Sequence, residues 1–261
     1  MKKLFILRSA ALAASLMTMS FASFATETTS WNFRTYNGND YGTGTGTNSY
    51  GNTLNFSSSD TNLSVTAWAD TNEISGPDTI ETATAANNSY GLLNYNRNND
   101  LHYVDNSTDT DMLLFSFDDF VNISEINIGY IGRYGNGSLA GSDISIAAFS
   151  DVPTLSGSTW KEVSEATNLL YSANFASLNE GTNNINVDSE IEARYWLIGA
   201  YNSNFGDTFN FQKDYLKIAG ITTIAGTGPD PKPPTDVAEP SSLAVLASFG
   251  LFAVWRRRKT A

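Results

Sequence analysis

Four oxygen-bearing side chains at alternating positions are the residues best suited to chemistry. They are Asp105, Ser107, Asp109 and Asp111 in the segment DNSTDTD. If this segment curls as a loop, its oxygens can converge on a hard cation, and calcium is the natural candidate, with Asp105, Asp109 and Asp111 as ligands. The segment lacks the central glycine and final glutamate of an EF-hand loop. The alternative is a solvated turn whose aspartates accept hydrogen bonds from backbone N–H groups.

Nucleophilic chemistry has little support in the composition. Cysteine is absent and His102 is the only histidine, which excludes disulfides, thiolate nucleophiles and two-histidine metal sites. No Gly-x-Ser-x-Gly elbow accompanies His102, so a structural hydrogen bond is its expected role. The sequence therefore predicts a protein that is not an enzyme.

Carbohydrate binding and polysaccharide hydrolysis remain alternatives. Aromatic side chains can stack on sugars, although the core of a β-sheet protein or its rim explains them equally well; the candidates are Tyr36, Tyr41, Tyr50, Trp68 and Tyr95. A hydrolase would need two carboxylates at a fixed separation. An acidic chain offers many such pairs, so their abundance does not favour hydrolysis.

The charge of the chain argues against nucleic acid as a partner. There are 27 acidic and 15 basic residues, for a net charge of −12. Seven of the 15 basic residues lie near the two ends, which leaves eight for the rest of the chain. A body this acidic should repel phosphate backbones and anionic membrane surfaces, while it can attract divalent cations.

The residues that would position these side chains follow a β pattern. Apolar and polar residues alternate in several short segments, separated by clusters of Asn, Gly, Ser and Asp. A slip in the alternation at Ser124 and Glu125 predicts a bulge or turn. Residues 73–86 could hold a short helix or a surface loop. The pattern predicts an all-β fold with a single jelly-roll-like β-sandwich ectodomain over residues 26–225.

The N-terminus has the pattern of a secretory signal peptide. A basic start is followed by an apolar stretch and by the small-x-small sequence that ends at Ala25. We therefore predict a signal helix over residues 1–25, handled by the Sec machinery and signal peptidase, and an exported mature chain.

The C-terminus predicts a linker followed by a short membrane helix. Residues 226–236 contain four prolines, which favour an extended spacer. Residues 237–261 contain an uncharged run from Leu243 to Trp255 and end in the basic cluster Arg256, Arg257, Arg258 and Lys259. Clustered cations hold this end in the cytoplasm, and the apolar run is shorter than the ~20 residues of an ordinary spanning helix.

This tail resembles the PEP-CTERM sorting signal, which is recognised and cut by the membrane transpeptidase exosortase. The resemblance is carried by Val237, Glu239 and Pro240, by the apolar helix, and by Arg256, Arg257 and Arg258. Ala238 stands where that family usually has its first proline. The resemblance implies transient anchoring in the inner membrane, followed by release to the cell surface. A plain C-terminal anchor is the alternative.

The body resembles the ectodomains of exosortase-dependent surface proteins of Gram-negative bacteria. A His-x-x-Asp-Asn element begins at His102, a strand ends at Asp118, and an Asp-Ile-Ser strand begins at Asp143. That family has no established enzymatic activity. The resemblance therefore implies a structural or adhesive protein in a polysaccharide or biofilm matrix, with calcium-assisted carbohydrate binding as the alternative.

Overall fold

The structure is a computed structural model that describes residues 27–59, 61–72, 78–98, 102–132, 141–209 and 212–228. The strands are β1 (Thr28–Asn32), β2 (Leu54–Ser57), β3 (Asn62–Asn72), β4 (Thr79–Thr82), β5 (Thr84–Asn88), β6 (Gly91–Tyr95), β7 (Val104–Asp105), β8 (Asp111–Ile131), β9 (Ser142–Phe149), β10 (Leu169–Leu178), β11 (Gly181–Asn184), β12 (Ala193–Ala200) and β13 (Tyr215–Ala225). The described residues also form an α-helix, α1 (Trp160–Ser164), and a 3₁₀ turn (Ser203–Phe205). The all-β prediction is confirmed.

The long strand β8 organises the strand pairing. Its first half pairs with β3 and β12, and its second half pairs with β11 and β13. All strands join one pairing network, whose main path runs β10-β9-β12-β8-β13-β6-β5. Between the two halves, Asp118 and Asp119 are exposed, which interrupts the buried pattern of the strand. β8 thus links two sets of strands.

The core shows how the sequence pattern becomes packing. In β12, Trp196 and Ile198 point into the main hydrophobic cluster, while Leu197 joins a second cluster on the opposite face. Trp160 of α1 and Phe205 of the 3₁₀ turn cover that second cluster. Because both faces are covered, β9 and β12 are nearly continuous buried runs, as expected for strands without a solvent face. Burial of this apolar area is the main force that stabilises the sheet.

Two local predictions can be compared directly with the strands. The slip at Ser124 is a bulge: Thr222 and Thr223 of β13 are opposite Glu125 and Ile123, so Ser124 is the extra residue. The helix or loop predicted over residues 73–86 is wrong for the part that is described, which forms β4 and β5. Threonine and alanine at these positions give no strong period of their own, and pairing with β3 and β6 decides the strand conformation.

The predicted terminal helices lie outside the described residues. This applies to the signal helix over residues 1–25 and to the membrane helix within residues 237–261. Within the part of the chain that the structure describes, no helix is long and apolar enough to span a membrane.

Candidate functional site: an aspartate cluster beside a polar pocket

The predicted aspartates are brought together and buried. Asp105 ends β7, Asp111 begins β8, and Asp109 lies in the loop between them; their exposed fractions are 0%, 1% and 5%. The Asp105 N–H donates to Asp111 Oδ2 at 3.4 Å. We call residues 105–111 the aspartate loop. Solvent is largely excluded from all three carboxyl groups, and Asp105 and Asp111 accept hydrogen bonds from backbone N–H groups, as in the turn alternative.

Burial and mutual repulsion disfavour the charged forms of these groups. Burial, together with the nearby Asp109 carboxylate, raises the pKa of Asp105 to about 6. The hydrogen bond from the Ser107 N–H and the Lys213 ammonium lower this pKa, but they do not cancel the rise. Burial, and then repulsion from Asp105, raises the pKa of Asp111 well above its usual range. Negative charge is therefore costly here unless a proton or a cation offsets it.

Three asparagines, which we call the asparagine row, lie at alternate positions of the sequence: Asn94, Asn96 and Asn98. Asn94 is in β6 and its Nδ2 donates to Trp68 O at 3.1 Å, whereas Asn96 and Asn98 lie in a turn after the strand, in which the Asn98 N–H donates to Asn96 Oδ1 at 3.0 Å. The Asn96 Nδ2 donates to Asp111 Oδ1 at 3.0 Å, and the Asn98 Nδ2 donates to Asp109 Oδ1 at 3.2 Å. The alternation in the sequence NYNRN was the signal that sequence reasoning missed. Amide groups thus surround the carboxylates with uncharged polar atoms.

Two buried oxygens in this region lack hydrogen-bond partners within the described chain. They are Asp105 Oδ2 and Asn94 Oδ1, and both residues are 0% exposed. An unsatisfied buried acceptor costs roughly 1–3 kcal/mol. Oxygen-only donor sets of this kind suit a hard cation such as calcium. Among the described residues, however, no group of three or more histidine or carboxylate side chains is already arranged to hold a metal ion.

The other side of the aspartate loop forms one wall of an open pocket of about 480 Å³. We call it the polar pocket. Besides Asn106, Thr108 and Thr110 of the loop, its lining includes residues from β3, the start of β4, α1 and the segment after β12: Asp70, Asp78, Trp160, Tyr201, Asn202 and Asn204. A wall of hydroxyl, amide and carboxylate groups can hydrogen-bond a neutral polar ligand.

The indole of Trp160 and the carboxyl of Asp70 lie side by side in the polar pocket. The Trp160 Nε1–H is buried and has no hydrogen bond of good geometry within the described residues, but it interacts as a donor with the Asp70 carboxyl and lowers the pKa of that group. Burial raises the pKa of Asp70, and this effect is stronger than the lowering caused by hydrogen bonds. One of these bonds is donated by the Thr110 N–H to Asp70 Oδ1 at 2.5 Å. Trp160 and Asp70 thus place a donor and an acceptor side by side in the pocket wall.

A fourth acidic residue, Asp214, holds the framework around the loop and was also missed from the sequence. Its Oδ1 accepts from the Asp143 N–H at 2.8 Å, and its Oδ2 accepts from the Asn106 Nδ2 at 3.1 Å. The Asp214 N–H donates to Asn106 Oδ1 at 2.7 Å. Burial raises the pKa of Asp214 to about 6. These bonds fix one end of the aspartate loop against β9 and β13.

The predicted aromatic candidates and His102 do not converge on this pocket. The His102 ring is exposed and packs on Tyr95, with 4.9 Å between ring centroids, and Tyr95 in turn lies 6.0 Å from Tyr41. Tyr36 is 80% exposed and stands apart. The aromatic residues that line the polar pocket are instead Trp160 and Tyr201.

The chain leaves the sheet at the far end of β13. The Gly226 N–H donates to Phe120 O at 2.8 Å, and one carboxylate oxygen of Glu192 accepts from the N–H groups of Thr227 and Gly228 at 2.8 and 2.9 Å. The first residues of the predicted linker are therefore held against the sheet. The sorting residues Val237, Glu239, Pro240, Arg256, Arg257 and Arg258 lie outside the described residues.

Comparisons with known proteins give no family for this chain. No family model, no curated protein and no solved structure matches it.

Proposed function

We propose that this chain is an exported bacterial surface protein, sorted by exosortase through its C-terminal tag, with a structural or adhesive role in a polysaccharide matrix. The observation that carries the proposal is the series of signal peptide, acidic β domain, proline-rich linker, apolar run and arginine cluster. The strands fit this order, because β1 begins at Thr28 and β13 ends at Ala225. We also infer that the sheet folds over at β8 as a jelly-roll-like sandwich, since both halves of β8 share one core cluster.

The arrangement of the two ends supports surface display. β1 pairs with β13, and the Ala225 N–H donates to Glu27 O at 2.8 Å, so both chain ends leave the sheet together. The polar pocket lies beside the start of β13, at Tyr215, whereas the tail leaves after its end. The start and the end of β13 are ten residues apart, which at about 3.3 Å per residue is a distance of roughly 33 Å. A domain tethered by its tail would therefore present the pocket away from the membrane.

Intact-mass analysis of the protein from its native host tests the sorting proposal. We expect a mature chain that begins after Ala25 and ends between Val237 and Pro240. A mature chain that retains Trp255 and the arginines while an active exosortase is present would contradict processing. That result would leave the plain membrane anchor.

An experimental structure with both halves of β8 in one flat sheet would contradict the sandwich.

The second candidate function is carbohydrate binding at the polar pocket. The observation that favours it is the open pocket itself, in which the buried Trp160 N–H lies beside the Asp70 carboxyl in a wall of amide and hydroxyl groups. Sugar hydroxyls both donate and accept, so they can use this donor and the acceptor together. The pocket is open and its aromatic rings are largely buried, which suits contact through hydrogen bonds at the edge of a glycan. Binding without turnover is proposed.

A glycan array read with three variants tests this second function. Trp160→Phe removes the indole donor and keeps an aromatic ring against Phe205, and Asn204→Ala removes an exposed amide at the rim. Tyr36→Ser is the matched control, because it removes an exposed aromatic that is not part of the pocket. We expect the first two to lose glycan signal and the control to keep it. No binding by the wild type, or loss only in Tyr36→Ser, would overturn the assignment.

A further inference from the structure

We propose that the outer edge of β10, the edge that faces away from β9, pairs with the same edge of a second copy of this chain. The two strands would be antiparallel, with a two-fold axis at Ala173, and would join two domains through one continuous sheet. This pairing does not depend on the sorting tag or on the polar pocket, since neither contributes a residue to β10.

The first observation is a row of backbone groups without partners along β10. Among the described residues, β10 pairs with β9 alone. For residues 171–175, the described chain makes no backbone hydrogen bond other than those to β9. The N–H and C=O groups on the outer edge of such a strand form a template on which another strand can pair. A partner strand would supply the hydrogen bonds that this edge lacks.

The other strands with a partner on one side are short or covered. Within the described chain, β1, β2, β7 and β11 have five residues or fewer, whereas β10 has ten. The edge of β4 is covered by a loop, because the Ile80 N–H donates to Ser158 O at 2.7 Å and the Gly157 N–H donates to Ile80 O at 2.8 Å. The edge of β5 is covered at Asn87, which exchanges two backbone hydrogen bonds of 2.9 Å with Asp40. β10 is thus the long edge that this fold leaves open.

The outer edge of β10 also lacks charge. From Ala166 to Asn179 the sequence has no charged residue and no proline, which are the usual protection of a strand edge, although the whole chain has a net charge of −12. Two acidic copies repel each other over most of their surface, so an uncharged edge is where they can approach. Irregular pairing on either side limits the regular section to residues 171–175.

The side chains of this section favour a second copy over an unrelated strand. An axis at the midpoint, Ala173, places Tyr171 opposite Phe175 of the second copy, and the reverse pair forms on the other side of the axis. Both rings are partly buried against the main core cluster, and aromatic residues directly opposite each other stabilise antiparallel strands. Burial, and then the nearby Asp188 carboxylate, raises the pKa of the Tyr171 hydroxyl, so this ring brings no charge to the pair.

Cysteine cross-linking tests the pairing and its register, because the chain has no cysteine of its own. Ala173→Cys would place two thiols directly opposite each other, with Cα atoms about 4.5–5.5 Å apart, which is within the range of a disulfide. Ala176→Cys is the matched control at an exposed position of the same strand. Its two thiols would be six residues apart along the pair, roughly 20 Å. Under mild oxidation of the exported protein, we expect at least tenfold more disulfide-linked dimer from Ala173→Cys.

Sedimentation equilibrium of the same protein measures the association without a cross-link. A five-residue pairing is a small interface, so we expect a reversible monomer–dimer equilibrium over about 5–500 µM protein. Ser172→Glu would place two carboxylates at diagonal positions across the axis and should raise the dissociation constant at least tenfold. Ser30→Glu, at an exposed position of β1, is the control and should leave the dissociation constant unchanged.

Three results would overturn the pairing. They are a wild type that stays monomeric over the whole concentration range, equal cross-linking of the two cysteine variants, or a dimer that Ser172→Glu and Ser30→Glu affect equally. The cross-linking decides the question by itself if Ser172→Glu fails to fold. A monomeric protein would leave the sorting and carbohydrate proposals unchanged, since neither requires a dimer.

Discussion

Replacing Asp105 by asparagine should stabilise the metal-free protein at neutral pH. The wild-type carboxylate is fully buried, and its pKa is raised from 3.8 to about 6. A carboxyl whose pKa is higher in the folded state stabilises the fold at low pH, and this stability is lost as the pH rises through about 6. The shift corresponds to about 3 kcal/mol of lost stability above pH 7. An asparagine keeps the oxygen that accepts from the Ser107 N–H and has no charge to bury.

Urea unfolding in the presence of chelator measures this effect at pH 5.0 and pH 7.5. With folded and unfolded pKa values of about 6 and 3.8, the carboxylate costs about 1.6 kcal/mol at pH 5.0 and about 3 kcal/mol at pH 7.5. The variant should therefore exceed the wild type by roughly these amounts, with a difference of about 1.4 kcal/mol between the two pH values.

A variant that is less stable than the wild type at pH 7.5 in chelator would refute this reasoning. It would show that the Asp105 charge is already offset within the protein. Asp119→Asn serves as the control for the change in net charge, because Asp119 is exposed.

Three further substitutions test the framework of the fold. Gly91→Ala should lower the free energy of unfolding in urea by more than about 3 kcal/mol, because the residue has φ +118° and a Cβ would lie 2.2 Å from a β13 carbonyl oxygen. Gly157→Ala is the control; this residue has φ +79° but open space around it, so the cost should be only about 1 kcal/mol. Equal costs would contradict the clash at Gly91. Thr159→Ala should lose about 1 kcal/mol of unfolding free energy by removing the cap of α1, and a serine that failed to restore it would argue against capping. Glu192→Ala should speed limited proteolysis at the start of the linker and change the unfolding free energy by less than about 0.5 kcal/mol. The control is Glu190→Ala, at an exposed residue, which should alter neither quantity. Unchanged proteolysis in Glu192→Ala would show that the carboxylate does not hold the chain.

The strands were predictable where the side-chain period is a local property. Leu63, Val65 and Ala67 alternate with polar residues and are all buried in β3, and the slip at Ser124 is a bulge. Residues 79–88 were not predictable, because their threonines and alanines carry no clear period and become strands through pairing with distant partners.

The candidate site was only partly predictable for a related reason. The spacing of Asp105, Asp109 and Asp111 shows that their oxygens can converge, but spacing does not show burial. The contacts of Asp111 with Asn96 and of Asn106 with Asp214 join residues that are 15 and 108 positions apart. Such contacts depend on strand register, which is set by the packing of the whole sheet.

The sequence by itself determined the all-β character, the strong negative charge and the absence of cysteine chemistry, and it predicts export and sorting from the two ends. These follow from composition and from short-range order, which no partner strand can change. Only the tertiary structure decided that the aspartate loop is buried against the asparagine row and that its other side lines a pocket beside Trp160. Both outcomes depend on which strands become neighbours, and that choice is made by long-range pairing and by burial of the shared core.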